Sequence, residues 1–216
     1  MKTILLFAAL LLATPSLFAQ SAAYKEAMTA ALETMKTQSQ KTPLPEMLAT
    51  ANQFERIAQA EAKEWLPRYY AGLLYVYAGF MGKDAAEKDR YLDQADRFLK
   101  EAEGISPKND ELSVLKAYIA QARMVVDPMN RWQTYGPAFE EAIGEAKALN
   151  PANPRPYVLH GSSLYHTPEQ FGGGLSAACP LLTQASEKFA TFKPASELHP
   201  NWGQKNIEPL LGKCAK

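Results

Sequence analysis

The sequence predicts an all-α protein with one helical domain, and three observations support this prediction. Segments rich in Ala, Glu, Lys and Gln carry apolar residues three and four positions apart over most of the chain. The alternating β-branched residues that are typical of strands are almost absent. The length of 216 residues, with 47% hydrophobic and 21% charged residues, fits one soluble globular domain. We therefore expect a single helical domain over residues 20–216.

The first nineteen residues have the three-part order of a secretory signal peptide. Lys2 is followed by an apolar run from Ile4 to Ala13, and the small residue Ala19 stands before the polar Gln20. An uncleaved anchor is the alternative, but about 20 apolar residues are needed to cross a bilayer. We therefore expect cleavage after residue 19, no membrane span in the mature chain, and a periplasmic or secreted protein.

Eight helices and a short ninth are predicted along the mature chain. Prolines and glycines separate them, notably Pro43, Pro107, Pro151 and the run from Gly172 to Gly174. Because the connections are short, neighbouring helices are expected to pack as antiparallel hairpins. The predicted ranges are 21–40, 45–62, 66–80, 85–103, 111–124, 137–148, 155–164 and 176–192, with a short helix after Trp202.

A repeat with a period of about 44 residues relates three of these hairpins. One block of equivalent positions is Ala95, Leu99, Ala102, Pro107 and then Phe139, Ile143, Ala146, Pro151. A second block precedes it and recurs twice, as Arg68, Ala71, Gly72, Tyr75, then Leu112, Leu115, Lys116, Ile119, then Tyr157, His160, Gly161, Leu164. The equal spacing predicts three helical hairpins in register.

At these positions the sequence resembles the tetratricopeptide repeat family. Gly72 with Tyr75, and Ala102 with Pro107, match the family pattern in residue type. Lys116 departs from it, standing where the family has a small residue. The resemblance implies a right-handed solenoid of three to four hairpins with end caps. Because the family unit has about 34 residues, the extra residues are expected between the paired helices, around 81–90, 125–135 and 167–174.

The glycines have a physical role that does not depend on the family. Glycine inside a helix costs about 1 kcal/mol relative to alanine, so a compensating close contact is expected. Gly72 and Gly161 are therefore predicted to let neighbouring helices approach closely. The segment from Tyr69 to Tyr77 is apolar on every side, which predicts a helix buried all round.

The resemblance also implies a function. Inner helices of tetratricopeptide repeats line a groove that holds an extended peptide or a partner helix, and they perform no chemistry. We therefore expect a non-catalytic module that binds a protein or peptide and needs no cofactor. The groove positions that carry over to this chain are Tyr69, Leu73, Val76, Ser113, Ala117, Val158, Ser162 and Tyr165.

Other function classes receive less support from the sequence. Lys plus Arg and Asp plus Glu number 23 each, so no basic footprint for nucleic acid is present. The alternative is a small exported enzyme or metal-dependent protein that uses His160, His166 and Cys179. The spacing of the two histidines places them on different helix faces, and no catalytic or zinc motif is found. We expect no metal site and no enzyme activity.

Three features of the last quarter leave two interpretations open. Cys179 and Cys214 either form a disulfide, as an oxidising compartment allows, or remain free thiols. The run from Gly172 to Gly174 is either a flexible connector or an anion contact through free backbone N–H groups. Trp202 either pins the tail against the last hairpin or contacts a ligand.

Overall fold

The computed structural model describes residues 21–39 and 41–214, and the predicted signal peptide lies outside them. This part of the chain contains nine α-helices, a 3-10 turn at Glu169–Phe171, and no strand. The prediction of an all-α protein is confirmed. The helices are α1 (Ala22–Thr37), α2 (Leu44–Ala60), α3 (Leu66–Met81), α4 (Ala85–Ile105), α5 (Asp110–Val126), α6 (Pro128–Leu149), α7 (Arg155–His166), α8 (Leu175–Thr191) and α9 (Gln204–Cys214).

The largest difference from the predicted helices lies at the start of α6. This helix begins at Pro128 rather than at residue 137, and Pro137 lies inside it. A proline at the first helical position loses no hydrogen bond, so Pro128 starts the helix directly after α5. The extra residues expected between the paired helices around 81–90 and 125–135 therefore lie mostly inside α4 and α6. Only the third insertion, 167–174, forms a connection outside the α-helices.

The helices pack as consecutive hairpins, because α1 contacts α2, α3 contacts α4, α5 contacts α6 and α7 contacts α8. In addition, α3 contacts α5 and α5 contacts α7, so these three inner helices adjoin one another in series. The final helix, α9, packs on α8 and α7. Each hairpin therefore covers part of the apolar surface of the next.

Helix α3 is the most deeply buried of the inner helices, as its apolar sequence predicted. Tyr69, Leu73 and Val76 are fully buried, and Leu74 and Tyr70 are nearly so. Neighbouring elements cover it on several sides, since α2, α4 and α5 all contact it. The prediction of a helix buried all round over residues 69–77 is confirmed except at Tyr75 and Tyr77, which are partly exposed.

The two repeat glycines lie where neighbouring helices approach closely, as predicted. A Cβ atom at Gly72 would lie 3.0 Å from Cδ2 of Leu115 in α5. A Cβ atom at Gly161 would lie 2.8 Å from Cδ2 of Leu182 in α8. A methyl group at Gly161 would force Leu182 to shift, whereas one at Gly72 would need Leu115 to move by only a few tenths of an ångström.

We predict that Gly161→Ala lowers the free energy of unfolding by about 1–3 kcal/mol, because the added methyl group overpacks the contact with Leu182. Gly144 in α6 is the matched control, since no atom lies within 4 Å of a Cβ built there. Gly144→Ala should raise stability by about 0.5–1 kcal/mol through helix propensity. Urea unfolding measures both changes, and equal effects of the two substitutions would contradict the close contact at Gly161.

The segment after α8, residues 192–203, folds back over the inner helices, and we call it the tail segment. Leu198 is buried in the same cluster as α3, and its carbonyl oxygen accepts a hydrogen bond from the Tyr70 hydroxyl at 2.8 Å. The Trp202 indole N–H donates to the Tyr69 hydroxyl at 2.8 Å. Trp202 therefore pins the tail, the first of its two interpretations, but it packs against all three hydrophobic clusters rather than against the last hairpin alone. The segment crosses the inner helices, and α9 is the element that packs on the last hairpin.

The two cysteines, for which bridged and free forms were both open, form a disulfide. Cys179 in α8 is bonded to Cys214 at the end of α9, with the Cα atoms 5.6 Å apart. A disulfide over this separation of 35 residues stabilises the folded state by about 3–4 kcal/mol in the loop-entropy model. The disulfide therefore anchors α9 to the last hairpin.

Candidate functional site

Two surfaces formed by the inner helices and the tail segment have the character of binding sites. The first, which we call the aromatic face, consists of Tyr77 and Phe80 of α3, Tyr118 of α5, and Trp202. The second, which we call the Arg155 pocket, lies where α5 and α7 begin. One surface presents rings and the other presents charges, so we describe them separately.

The rings of the aromatic face are connected through contacts with one central ring. Tyr118 is central, because its ring centroid lies 5.9 Å from Tyr77, 5.6 Å from Phe80 and 5.8 Å from Trp202. The Tyr118 and Trp202 planes differ by 26°, which is a stacked arrangement. Phe80 is 37% exposed and the other three side chains are partly exposed. The face is therefore an accessible aromatic surface suited to a flat apolar ligand.

Burial keeps the tyrosines of this face neutral. It raises the pKa of Tyr118 to about 12. Burial also raises the pKa of Tyr77 well above its ordinary value, and the neighbouring Tyr118 adds to this effect. Both side chains are therefore neutral phenols near neutral pH. The face offers stacking and apolar contact rather than charge.

The groove positions expected from the repeat resemblance lie mostly beneath the surface. Tyr69, Leu73 and Val76 are buried in the first core cluster. Ala117 and Val158 are buried in the second and third clusters, and Ser113 is buried near the start of α5. Ser162 and Tyr165 of α7 are partly exposed. Contact of these residues with a partner stays a prediction.

The Arg155 pocket has a volume of about 410 Å³ and is lined by the first turns of α5 and α7, the preceding loops and the tail segment. Its rim carries Lys108 and Lys193, both exposed, and its floor contains the buried Arg155. Lys108 has a positive φ of 56°, which is uncommon outside glycine. The remaining lining residues are Trp65, Ser106, Asn109, Asp110, Glu111, Asn150, Phe192, Pro194, Ala195, His199 and Pro200.

A buried ion pair forms the floor of this pocket. The Arg155 Nε donates to the two carboxylate oxygens of Glu111 at 3.0 and 2.8 Å, and Nη2 donates to the same carboxylate. The Asn153 side chain donates to Glu111 at 2.9 Å. Glu111 raises the pKa of Arg155 against the opposing effect of burial, so the guanidinium stays charged. The Nη1 nitrogen is buried and has no hydrogen-bond partner among the described residues.

The three histidines lie apart from one another. His199 lines the Arg155 pocket, where burial and then Arg155 lower its pKa, and its Nδ1 lies 2.7 Å from the Ser196 hydroxyl. His160 lies beside Lys147, with 3.3 Å between Nδ1 and Nζ, and His166 is exposed. Cys179 is bonded to Cys214. The predicted alternative of a Cys–His nucleophile therefore lacks its free thiol.

The glycine run between α7 and α8 forms a tight turn. Gly172 and Gly174 have φ values of 82° and 90°. The N–H groups of Gly173 and Gly174 donate to the carbonyl oxygens of Pro168 and Leu164. A Cβ at Gly173 would lie 2.1 Å from the Thr167 carbonyl oxygen. These backbone donors are engaged, so the anion interpretation loses its basis at both residues.

The comparisons with known proteins give an informative match among solved structures. No protein-family model matches this sequence, and no curated protein matches it. Among solved structures, the HusA haemophore from Porphyromonas gingivalis is 33% identical to this chain, with a TM-score of 0.78. The alignment covers 91% of this chain and 94% of HusA. The chain belongs to the HusA family.

In this member of the HusA family, the repeat in the sequence could have indicated the buried Glu111–Arg155 pair, which the sequence analysis did not identify. Glu111 lies one residue before Leu112 and Arg155 lies two residues before Tyr157, so both stand in the first turns of helices that the repeat makes equivalent. The aromatic face was harder to find, because its rings come from three distant segments. No helix in the described part of this HusA relative is long and apolar enough to cross a membrane.

We predict that Glu111→Ala lowers the free energy of unfolding by about 3–5 kcal/mol, because Arg155 would keep a buried charge without its partner. The matched control is Glu145→Ala, which removes an exposed pair with Lys116 at 3.9 Å. That change should cost less than about 1 kcal/mol. Urea unfolding of both variants measures the difference, and a cost at Glu111 no larger than the control would show that the pair contributes little.

Proposed function

We propose that this chain is an exported protein that binds haem, or a closely related planar tetrapyrrole, and performs no reaction on it. The observation that carries this proposal is the similarity to the HusA haemophore over nearly the whole of both chains. At 33% identity the two chains share more than a fold. A haemophore is a haem-binding protein, so the same class of ligand is the first candidate here.

The aromatic face supports this proposal by its shape and chemistry. A macrocycle is flat and apolar, and aromatic side chains bind such faces through offset or edge contacts. Tyr118 and Trp202 provide nearly parallel rings, and the exposed Phe80 extends the surface. We therefore place the macrocycle against Phe80, Tyr118 and Trp202.

The mode of binding that fits this face is stacking rather than ligation of the iron. Its tyrosines are held neutral by burial, and none of the three histidines belongs to it. The face therefore offers no imidazole to the iron, and stacking on the macrocycle is the contact that these four rings provide. The binding energy would come from the macrocycle and its burial.

Export is supported by two features of the chain. The first nineteen residues have the order of a signal peptide, and Cys179 and Cys214 form a disulfide. Disulfides persist in oxidising compartments such as the periplasm or the exterior. A periplasmic or secreted protein fits both observations and the proposed capture of an external ligand.

The tetratricopeptide resemblance is compatible with haem binding and remains part of the proposal. Consecutive hairpins and adjoining inner helices are the arrangement that such a repeat would give. The tail segment lies on the inner helices, where the resemblance places a bound peptide. A protein or peptide partner would therefore have to use the surface that this segment leaves free, including Ser162 and Tyr165.

A titration of the purified mature protein with haem, followed by absorbance in the Soret region, tests the proposal. We expect saturable binding, and we expect Phe80→Ala to weaken it roughly 3- to 10-fold through loss of one ring contact. The control is Tyr91→Ala on α4, which removes a ring outside the aromatic face and should leave affinity within about twofold. Absence of saturable binding by the unaltered protein would refute the function, whereas unchanged affinity of Phe80→Ala would refute only the placement.

Stacking without iron ligation has its own consequence. We predict that metal-free protoporphyrin binds with an affinity within roughly tenfold of haem, because the macrocycle supplies the contacts. Fluorescence titration of the porphyrin measures this affinity. Binding that requires the iron would contradict stacking and would indicate an axial ligand outside the aromatic face.

A further inference from the structure

The Arg155 pocket contains a buried donor that the proposed haem site does not use. The Arg155 guanidinium is 0% exposed, and its Nε and Nη2 edges are bonded to Glu111. One face of the group lies over the Phe192 ring, with 4.7 Å between Cζ and the ring centroid. The donors of Nη1 point away from Glu111 and have no partner among the described residues. A buried donor of this kind is costly unless an acceptor reaches it.

The charges around the pocket favour an anion. Three cationic side chains line it, and the two exposed ones, Lys108 and Lys193, lie at its rim. The two carboxylates are already engaged, since Glu111 accepts from Arg155 and Asp110 accepts from Asn150 and Asn153 at 3.0 and 2.7 Å. The pocket therefore has an excess positive charge and an unused donor.

The walls of the pocket also provide apolar surface. Trp65 and Phe192 line it together with Pro194 and Pro200. The Trp65 ring contacts His199 edge to face, with 5.6 Å between the centroids. A volume of about 410 Å³ lies within the range of small-molecule sites and exceeds what a simple inorganic anion would fill.

We propose that the Arg155 pocket binds an organic carboxylate whose apolar part is flat. The carboxylate is neutralised by Lys108 and Lys193 at the rim, and it accepts from Arg155 Nη1 once the side chains that cover this buried atom move aside. The apolar part lies against Trp65 and Phe192. This inference concerns a surface separate from the aromatic face, and it holds whether or not haem binds there.

The test compares three probes by isothermal titration calorimetry: 2-naphthoate, the neutral 2-naphthalenemethanol and inorganic phosphate. We expect 2-naphthoate to bind at least tenfold more tightly than either of the others, because only it supplies both the carboxylate and the flat apolar group. It should also shift the indole N–H resonance of Trp65, identified by its loss in Trp65→Phe. No binding of 2-naphthoate, or equal binding of phosphate, would overturn the proposal.

Substitutions of the two lysines at the rim of the pocket distinguish specific binding from nonspecific electrostatic attraction. They leave the buried pair of Arg155 and Glu111 intact. Lys108→Gln with Lys193→Gln should weaken 2-naphthoate binding at least fivefold, since both residues are exposed and neither has a structural hydrogen bond among the described residues. The matched control is Lys83→Gln with Lys100→Gln, two exposed lysines outside the pocket, and it should bind as the unaltered protein does. Equal affinity of the two double variants would refute the site.

A competition experiment between haem and 2-naphthoate distinguishes two sources of the carboxylate, a propionate of the macrocycle and a separate small acid. If saturating haem displaces 2-naphthoate, the pocket receives a propionate of the macrocycle. If haem and 2-naphthoate bind together, the pocket takes a separate small acid. Either result keeps the carboxylate site, and the two assign its natural source.

Discussion

The contacts of Trp202 are the constraint on which the arrangement of both surfaces depends. Its indole packs against all three hydrophobic clusters of the described core, although it follows the last hairpin in the sequence. Its N–H is satisfied by Tyr69, a buried residue of the first inner helix. Because the Trp202 ring is packed against apolar residues and its N–H group has a hydrogen-bond partner, the tail segment has a fixed path across the inner helices. The disulfide at the end of α9 holds the chain that follows.

This path divides the inner surface into two chemically different parts. The tail segment contributes Phe192, His199 and Pro200 to the Arg155 pocket and Trp202 to the aromatic face. Charged residues gather where α5 and α7 begin, while the rings lie further along α3 and α5. A helix start is the positive end of the helix dipole, so an anion is favoured at one part and a neutral flat ligand at the other.

The sequence was sufficient to predict the helices, the glycine contacts and the pinned tail, because these features depend on local pattern. Gly72 and Gly161 were identified by the cost of glycine in a helix, and Trp202 by its size beside a proline bend. The predicted start of α6 was wrong. Pro137 was taken as the first residue of the helix, whereas the helix begins at Pro128. The route of the tail could not be predicted, because the contact of Tyr70 with Leu198 joins residues 128 positions apart. The aromatic face depends on the same route, since it forms only when Trp202 reaches Tyr118.

The distance between the two surfaces bears on what a single ligand can contact. Glu111 and Tyr118 lie on the same helix, and seven residues of α-helix rise by about 10 Å. A flat ligand stacked against Tyr118 and Phe80 thus lies within a short reach of the Arg155 pocket, and carboxylates at its edge could extend toward this pocket. Stacking needs no charge, while a buried guanidinium with an unused N–H favours an acceptor. A flat ligand that carries carboxylates at one edge would satisfy both parts of the inner surface.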